Sequence, residues 1–563
     1  MNGKDATGNF TRRSALAVMA VSAASASGMG ATVFGATSSN PPRTGVVRTS
    51  NGPVRGSVDE GIQTFKGLRY GAPTGGAGRF MPPRKPEPWT VVQDAVAFGN
   101  SAPQGIIPGL HVGKKSPIAE LMGHTESEAA SEDCLFLNLW TPALNDGRKR
   151  PVMVWLHGGA FALGSGSSPI YNGRQLAAQG DVVVVTVNHR LDALGYTQLD
   201  KLLGPEYASS GVVGMLDIVA VLEWVRDNAV AFGGDPENVT IFGESGGGWK
   251  VSALLAMPQA KGLFHRAIIQ SGPGLKMTPK STGEILAAAL LEELNIPTVV
   301  ARKLLDVPTA DLMAAAGRAA ARPLPGKDPR IGFSAVGFSP VVDGIALPRD
   351  PFDPDAPEIS ADVPIMIGTT ANEASQFLLH DPKFGKYSWA DVEERLQATF
   401  KEQAVPALAL YRSRNPNASP TDIYVDILTQ SGMIAMSTKL AERKLGQKAA
   451  KVWFYRLAWG TPALGGLLKS THALDLPLVF NTTEVVPKLV GPGPDPKAVA
   501  MQMSMTWIAF ARHGDPNNRT IAKWPSYSTE HRDVMFFDVK SHVVKDPDND
   551  TRSFWDTDNN KKS

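Results

Sequence analysis

The chain has 563 residues, of which 43% are hydrophobic, enough for a large core in one α/β domain or in two or three smaller domains. The formal net charge at pH 7 is +2, and the scattered Lys and Arg residues indicate neither a nucleic-acid-binding surface nor an acidic tail. The single cysteine, Cys134, excludes an intrachain disulfide and a zinc or iron–sulfur site built from cysteines. We expect Cys134 to be a small buried hydrophobe.

Residues 1–40 are predicted to be a twin-arginine-type signal peptide with a short linker. Arg12 and Arg13 precede a weakly hydrophobic stretch of small residues, and cleavage is expected after Ala26 or after Ala36. This pattern predicts export to the periplasm or the medium, with a disordered N-terminal extension as the alternative. No later segment is a run of about 18 uncharged apolar residues, so we expect a soluble mature protein without a membrane partner.

The first half of the chain alternates between predicted strands and helices. Residues 45–72 have the alternating pattern of short antiparallel strands that are joined at Asn51-Gly52. Residues 79–88 are proline-rich and irregular, and residues 103–131 are a predicted loop over the functional site. Near-continuous apolar runs predict buried strands, and apolar residues at helical spacing predict a helix. The strands are residues 135–140, 151–156 and 181–187, and the helix is residues 212–232.

The motif Gly-x-Ser-x-Gly, residues 243–247, follows an apolar run, residues 239–242, and precedes an apolar helix-like segment. In the order strand, sharp turn and helix, this motif forms a nucleophile elbow that holds its serine, Ser245, in a strained conformation. The flanking glycines let strand and helix approach, and the turn directs the N–H of Gly246 and the positive helix end at the reaction centre. A chance loop is the alternative, since the chain has 55 glycines.

The second half of the chain continues the α/β pattern. Strands are predicted at residues 266–270, 363–368, 451–457 and 534–539, and helices at residues 281–321, 389–446 and 501–512. Residues 389–446 are candidates for a cap. We therefore expect an α/β-hydrolase fold with a large, mostly parallel central sheet, helices on both faces and helical cap insertions. One domain is predicted over residues 41–545, with a polar C-terminal tail over residues 546–563.

A serine hydroxyl becomes a good nucleophile when a base takes its proton and an acid orients that base. In α/β-hydrolases the chain order is serine, acid, histidine, so the base must follow Ser245. His472 is the preferred base because it lies in a loop after a predicted strand, whereas its rival His513 ends a helix. The remaining candidates, which we expect to be surface histidines, are His380, His531 and His542.

Glu373 is the preferred acid because it follows the buried strand that ends near Gly368. The alternative acid, Asp343, precedes a glycine and is also a typical turn residue.

The small residues of His157-Gly158-Gly159-Ala160 follow another predicted strand and suit an oxyanion hole, in which each N–H donor is worth on the order of 100- to 1,000-fold in rate. A plain turn at the end of the strand is the alternative, and we expect His157 itself to be structural.

The sequence resembles the type-B carboxylesterase/lipase family, which includes bacterial para-nitrobenzyl esterases and the cholinesterases, over about residues 45–540. The similarity rests on motifs in the same order along the chain. They are FKGLRYGAP (65–73), RFMPP (79–83), EDCLFLNLW (132–140), HGGAF (157–161), NHRL (188–191), FGGDPENVTIFGESGGG (232–248), GLFHRAIIQSG (262–272), PVVDG (340–344), GTTANEA (368–374) and WIAFARHGDPN (507–517).

The resemblance implies a serine carboxylesterase that acts on a small-molecule ester without a cofactor or metal. It implies a catalytic triad of Ser245, Glu373 and His472, and a structural ion pair between Arg79 and Glu132. It further implies an oxyanion hole made by three backbone N–H groups, those of Gly159, Ala160 and Gly246. An amidase, a carbamate hydrolase or a lipase would use the same site. An inactive binding protein of this family would have lost a triad member, whereas all three positions are filled here.

Several residues depart from the family pattern. Gly246 stands where the family usually has Ala, and Ala160 where it has a third glycine, but backbone N–H donors tolerate both changes. Trp249 and Lys250 replace small residues; Lys250 could favour an anionic substrate or could be satisfied by a buried acid. The family's disulfide partner of Cys134 is missing. The loop before Glu132 lacks the tryptophan of cholinesterases, which argues against a choline ester, and the small apolar residues 335–338 suggest room for a bulky acyl group.

Overall fold

A 13-stranded sheet organises the protein, and the strands at its centre are parallel. The computed structural model describes residues 41–105, 117–122, 129–323 and 337–556. The predicted signal segment therefore lies outside the described residues, as do Ala335, Val336 and much of the predicted 103–131 loop.

The strands follow one another in an order that departs from the chain order only at the centre, β1-β2-β3-β5-β7-β6-β8-β9-β12-β13-β14-β15, with β4 beside β2 and with β10 and β11 in a separate pair. Their bounds are β1 (Arg43–Arg48), β2 (Pro53–Asp59), β3 (Ile62–Arg69), β4 (Gln93–Asp94), β5 (Phe136–Thr141), β6 (Arg150–Leu156), β7 (Val183–Val187), β8 (Gly234–Glu244), β9 (Arg266–Gln270), β10 (Thr278–Pro279), β11 (Val341–Val342), β12 (Ile365–Thr370), β13 (Val452–Leu457), β14 (Asp533–Phe537) and β15 (His542–Lys545).

Seven neighbouring strands, from β7 to β14 in the sheet order, are parallel. The strands at both ends pair antiparallel, apart from β4, which pairs with β2 in parallel. The α-helices are α1 (Pro117–Leu121), α2 (Arg174–Gly180), α3 (Asp192–Tyr196), α4 (Asp200–Leu203), α5 (Val213–Asn228), α6 (Gly246–Leu254), α7 (Lys280–Glu293), α8 (Thr309–Ala321), α9 (Ala374–Phe377), α10 (Trp389–Phe400), α11 (Ala404–Arg414), α12 (Pro420–Thr429), α13 (Ala435–Gly446), α14 (Asp475–Val479), α15 (Pro487–Val490), α16 (Asp495–His513) and α17 (Asn549–Trp555). A π-turn, Gln430–Ile434, joins α12 to α13.

The central strands are buried on both faces, which explains their continuous apolar sequences. Every residue of β6 is buried, and its side chains alternate between two hydrophobic clusters. Val152 and Val154 belong to the cluster that includes α5, while Met153 and Trp155 belong to the cluster that includes α16. Because successive side chains of a strand point to opposite faces, the two clusters are the two sides of the sheet. The predicted α/β architecture is confirmed.

One segment, Pro205–Phe232, is long and apolar enough by composition to cross a membrane, with a mean hydropathy of 1.6 over its best window. In the structure this segment contains α5, and 72% of the window is buried inside the protein. Within the described residues it is therefore a core helix.

The C-terminal part differs from its prediction. Residues 546–563 are predicted to be a polar tail, but the described part of this segment, up to residue 556, includes α17. Trp555 is buried and donates from Nε1 to the hydroxyl of Tyr411 at 2.9 Å. The helix α16 also begins at Asp495, six residues before its predicted start. Because the residues around Trp555 are polar, this helix was not predicted from the sequence. Trp555 attaches it to α11 through Tyr411.

Candidate active site

Ser245 lies alone between the end of β8 and the first residue of α6, with a backbone φ of 55° and ψ of −122°. This left-handed φ is strained for a serine and persists only where the surroundings impose it. The N–H of Ser245 donates to the carbonyl oxygen of Gln270 on β9 at 2.8 Å. A Cβ on Gly243 would lie 2.5 Å from the carbonyl carbon of Gly247, so glycine is required where strand and helix cross. The turn is the predicted elbow.

Glu373 and His472 lie on neighbouring loops at the ends of β12 and β13. The Nδ1 atom of His472 is 2.5 Å from Oε2 of Glu373, and both side chains are buried. The other carboxylate oxygen, Oε1, accepts hydrogen bonds from the N–H of Thr370 at 2.7 Å and from the hydroxyl of Ser271 at 2.6 Å. The imidazole is therefore oriented by a carboxylate that is itself fixed by two donors.

Glu244, which precedes Ser245, lies on the other edge of the same imidazole. Its Oε1 atom is 3.2 Å from Nε2 of His472, so that edge faces the elbow. Burial raises the pKa of Glu244 to about 8, although the charge of His472 acts in the opposite direction. Burial alone would lower the pKa of His472, but Glu244 and Glu373 raise it to about 9. Sequence reasoning missed this role of Glu244, because the serine motif places Glu244 beside Ser245 but does not show its contact with His472.

The HGGA loop, residues 157–160, follows β6 and lies against the elbow. Gly159 and Ala160 both have a left-handed backbone, with φ of 84° and 50°. A Cβ on Gly158 would lie 3.5 Å from Cβ of Ser245, and a Cβ on Gly246 would lie 2.1 Å from the carbonyl oxygen of Ala160. The N–H groups of Gly159 and Ala160 donate no hydrogen bond to any residue that the structure describes. The first N–H groups of a helix such as α6 also lack intrahelical partners.

The alternative site residues are placed elsewhere or used otherwise. The four other candidate bases are exposed: His380, His513, His531 and His542. The Oδ1 atom of Asp343 accepts hydrogen bonds from the N–H groups of Ile345 and Leu347, each at 2.9 Å. Asp343 therefore closes a local turn, which was its alternative interpretation.

Lys250 fits neither of the roles considered for it from the sequence. Its side chain is completely buried, so it presents no charge to a substrate. Its Nζ atom donates to a backbone carbonyl, that of His157, at 2.9 Å, rather than to a buried acid. Burial lowers the pKa of Lys250 to about 7, while the carboxylate of Glu244 acts in the opposite direction. The ring of His157 stacks on that of His189 at 4.9 Å, and Nδ1 of His157 is 2.8 Å from the carbonyl oxygen of Gly158.

Arg79 and Glu132 form the expected structural ion pair. Nε of Arg79 donates to Oε2 of Glu132 at 2.9 Å, which confirms the prediction. Arg79 also donates to the carbonyl oxygen of Val307 at 2.7 Å, which ties the pair to the neighbouring chain segment.

Cys134 is free and completely buried, and burial raises the pKa of its thiol. It is a core residue, as expected. Among the described residues, no cluster of three or more His, Cys, Asp or Glu side chains could hold a metal ion.

A sequence model of the carboxylesterase family matches residues 43–555. The chain belongs to the carboxylesterase family. It is 35% identical over 509 residues to the para-nitrobenzyl esterase of Bacillus subtilis, an alignment that covers 90% of this chain and 97% of the relative. It is 32% identical over 514 residues to the phenmedipham hydrolase of Pseudarthrobacter oxydans, with 89% and 97% covered.

Solved structures agree with this assignment. The carboxylesterase EST55 of Geobacillus stearothermophilus is similar with a TM-score of 0.76 and 37% sequence identity, covering 91% of this chain and 99% of its own. The family and these relatives show that the protein is a carboxylic ester hydrolase with an α/β-hydrolase fold. The chemistry of this carboxylesterase is therefore to be explained by three features, which are the elbow, the histidine–glutamate pair and the HGGA loop.

Proposed function

We propose that this carboxylesterase hydrolyses its ester through an acyl-enzyme intermediate, with Ser245 as the nucleophile, His472 as the general base and Glu373 as the orienting acid. One observation carries the proposal: the imidazole of His472 is held by Glu373 on its Nδ1 edge, while its Nε2 edge faces the elbow. A base held in this way can take the proton of the serine that directly follows Glu244.

The reaction proceeds in two halves. Oγ of Ser245 attacks the carbonyl carbon of the ester while Nε2 of His472 takes the hydroxyl proton, which yields a tetrahedral intermediate. The N–H groups of Gly159, Ala160 and Gly246 donate to the oxyanion. The alkoxide leaves with the proton from His472, and the acyl group stays on Ser245. A water molecule, deprotonated by His472, then attacks the acyl carbon. The bond between this carbon and Oγ breaks, Oγ takes the proton back from His472, and the acid is released.

The electrostatic surroundings favour the charges that develop during these steps. His472 becomes an imidazolium in each transition state. Glu373 and the ionised form of Glu244 stabilise that cation, and they therefore raise the pKa of His472. The oxyanion forms next to donors that belong to the backbone, so these donors need little reorganisation.

The experiment that tests this proposal compares Ser245→Ala with the wild-type enzyme on p-nitrophenyl esters of increasing acyl length. We expect the variant to lose activity by at least about 1,000-fold with an unchanged melting temperature, because the nucleophile is removed and the fold is not. Ser252→Ala is the matched control, since Ser252 is also a buried serine of α6 and bonds to the carbonyl oxygen of Gly248.

A second measurement separates the esterase from an inactive binding protein of the same family. An organophosphate reagent should label the wild-type enzyme once, at Ser245, as seen by peptide mass spectrometry. A folded Ser245→Ala variant that still turns over esters, or a wild-type enzyme that is not labelled at Ser245, would refute the proposed mechanism. Amides, lipids and phenmedipham, the compound named in one relative, belong in the same substrate panel because they would use the same site.

Export by a twin-arginine pathway is proposed from the sequence of residues 1–40. The paired arginines, Arg12 and Arg13, ahead of a weakly hydrophobic stretch support it. In a bacterial host with that pathway, we expect esterase activity in the periplasm or medium, and replacement of both arginines by lysine should retain the activity in the cytoplasm. Arg148→Lys, at an exposed site of the mature chain, is the control for expression. Unchanged export of the double variant would contradict the proposal.

A further inference from the structure

One face of α6 packs against the HGGA loop. Gly246, Gly247 and Lys250 share that face, because residues three and four positions apart are neighbours on a helix. A Cβ on Gly246 would lie 2.1 Å from the carbonyl oxygen of Ala160, and one on Gly247 would lie 3.1 Å from that of His157. The two glycines therefore let the backbone of the loop lie directly on the first turn of the helix.

Lys250 extends this contact by one helical turn. Its Nζ atom donates to the carbonyl oxygen of His157 at 2.9 Å and lies 5.6 Å from the centre of the Phe161 ring. One ammonium group thus contacts the first residue of the HGGA loop and the residue directly after it. Burial strips an ammonium group of its hydration, which is costly unless its contacts compensate. A completely buried lysine at this place therefore requires an explanation.

Three ionisable groups lie around Lys250, namely Glu244, His157 and His189. Glu244, on β8, attracts the ammonium group electrostatically. His157 and His189 stack on each other, and burial lowers the pKa of His157 to about 3 and that of His189 well below its usual value. Both imidazoles are therefore neutral at neutral pH, and their rings do not replace the contact that Lys250 makes.

We propose that Lys250 is a positioning residue of the oxyanion hole, which holds the HGGA loop against α6 so that the N–H groups of Gly159 and Ala160 stay aligned with that of Gly246. This inference rests on the proposed function, in which those three groups bind the oxyanion. The loop needs such a restraint because Ala160, which is not a glycine, has a left-handed backbone with φ of 50°, a conformation that persists only when the surroundings hold it.

The contacts of a second buried lysine show what a purely structural role looks like. Nζ of Lys444 has three acceptors, the carbonyl oxygens of Ser360 and Ala361 and Oε1 of Gln447, at 2.5, 3.0 and 3.0 Å. Within the described part of the chain, Nζ of Lys250 has one hydrogen-bond acceptor, and that acceptor belongs to the HGGA loop. Lys250 is thus poorly placed to stabilise the fold and well placed to restrain the loop.

The test compares Lys250→Met with Lys444→Met on p-nitrophenyl butyrate. Methionine has nearly the length of lysine without its N–H groups and charge, so the packing is kept. For Lys250→Met we expect kcat to fall about tenfold, less than the loss of a direct oxyanion donor, with KM within about twofold. The affinity for a trifluoromethyl ketone, which forms an oxyanion on Ser245, should fall by the same factor. Lys444→Met should lower the melting temperature and leave kcat unchanged.

Each outcome decides the proposal. It is overturned if folded Lys250→Met keeps the wild-type kcat and ketone affinity, or if its only defect is a lowered melting temperature like that of Lys444→Met. If Lys250→Met does not fold, Lys250→Gln is measured instead, because glutamine keeps an N–H donor on a shorter side chain. A wild-type kcat and ketone affinity of Lys250→Gln would overturn the proposal, and a partial loss of both would support it. Ser245→Ala tests the proposed function separately. If Ser245→Ala is inactive while Lys250→Met is fully active, the positioning role of Lys250 is refuted and the proposed function is not.

Discussion

The imidazole of His472 lies between two carboxylates, one on each ring edge. Glu373 contacts Nδ1 at 2.5 Å and Glu244 contacts Nε2 at 3.2 Å. The first contact orients the ring as a general base requires, with Nε2 on the side of the elbow. The second adds a negative charge beside the nitrogen that takes the proton. Glu244 is therefore expected to set the pH range of activity rather than to take part in proton transfer.

Glu244→Gln should shift the pH dependence of kcat/KM. Activity requires neutral His472, so kcat/KM rises with pH through the pKa of this histidine. The Glu244 carboxylate raises that pKa, so its removal should move the rising limb to lower pH, by roughly one pH unit for an opposite charge at this distance. The rate on the plateau should fall, because the imidazolium formed in the transition state loses a stabilising charge.

The measurement is a pH profile of kcat/KM on a p-nitrophenyl ester, read beside that of Glu237→Gln. Glu237 lies on the same strand, β8, with a side chain that is 84% exposed, so its variant should keep the wild-type profile. A rising limb that stays in place, or moves to higher pH, in Glu244→Gln would show that the carboxylate does not act on His472.

The elements that form the site differ in how much of them the sequence could predict. The central strands were predictable because burial on both faces demands near-continuous apolar runs, as in β6 and β7. The order serine, acid, histidine led to Glu373 and His472, which the structure places at hydrogen-bond distance. The contact between Glu244 and His472 could not be predicted, because only the fold brings these residues together.

The contact of Lys250 is a second example of a contact that could not be predicted from the sequence. The sequence places this lysine on the helix after the elbow, and a lysine suggests either solvent or an acidic partner. Its actual acceptor is a main-chain carbonyl at the end of β6. A backbone acceptor carries no side-chain signature, so no pattern in the sequence could have identified it. Contacts of this kind follow from the packing of α6 on the HGGA loop.

At the scale of the whole molecule, the C-terminal helix α17 is attached to the sheet by a buried ion pair. Nη1 and Nη2 of Arg456, on β13, donate to Oδ1 and Oδ2 of Asp548 at 3.0 and 2.7 Å. Gln430, in the π-turn, donates to the same carboxylate at 3.0 Å. Burial would raise the pKa of Asp548, but Arg456 more than compensates and lowers it. The last described helix is thus connected to the central sheet and to the helices of residues 389–446.

Asp548→Ala should destabilise the protein without changing its catalysis. Removing one partner of a buried ion pair leaves the other charge without compensation, which typically costs about 3–5 kcal/mol. We expect a melting temperature lower by several degrees, with kcat and KM of the folded enzyme unchanged because Asp548 contacts neither the elbow nor the HGGA loop. Asp550→Ala, two residues further along and inside α17, is the matched control, since the side chain of Asp550 is 59% exposed and its distant ion pair is worth little. Equal melting temperatures for the two variants would mean that α17 does not depend on this pair for its attachment.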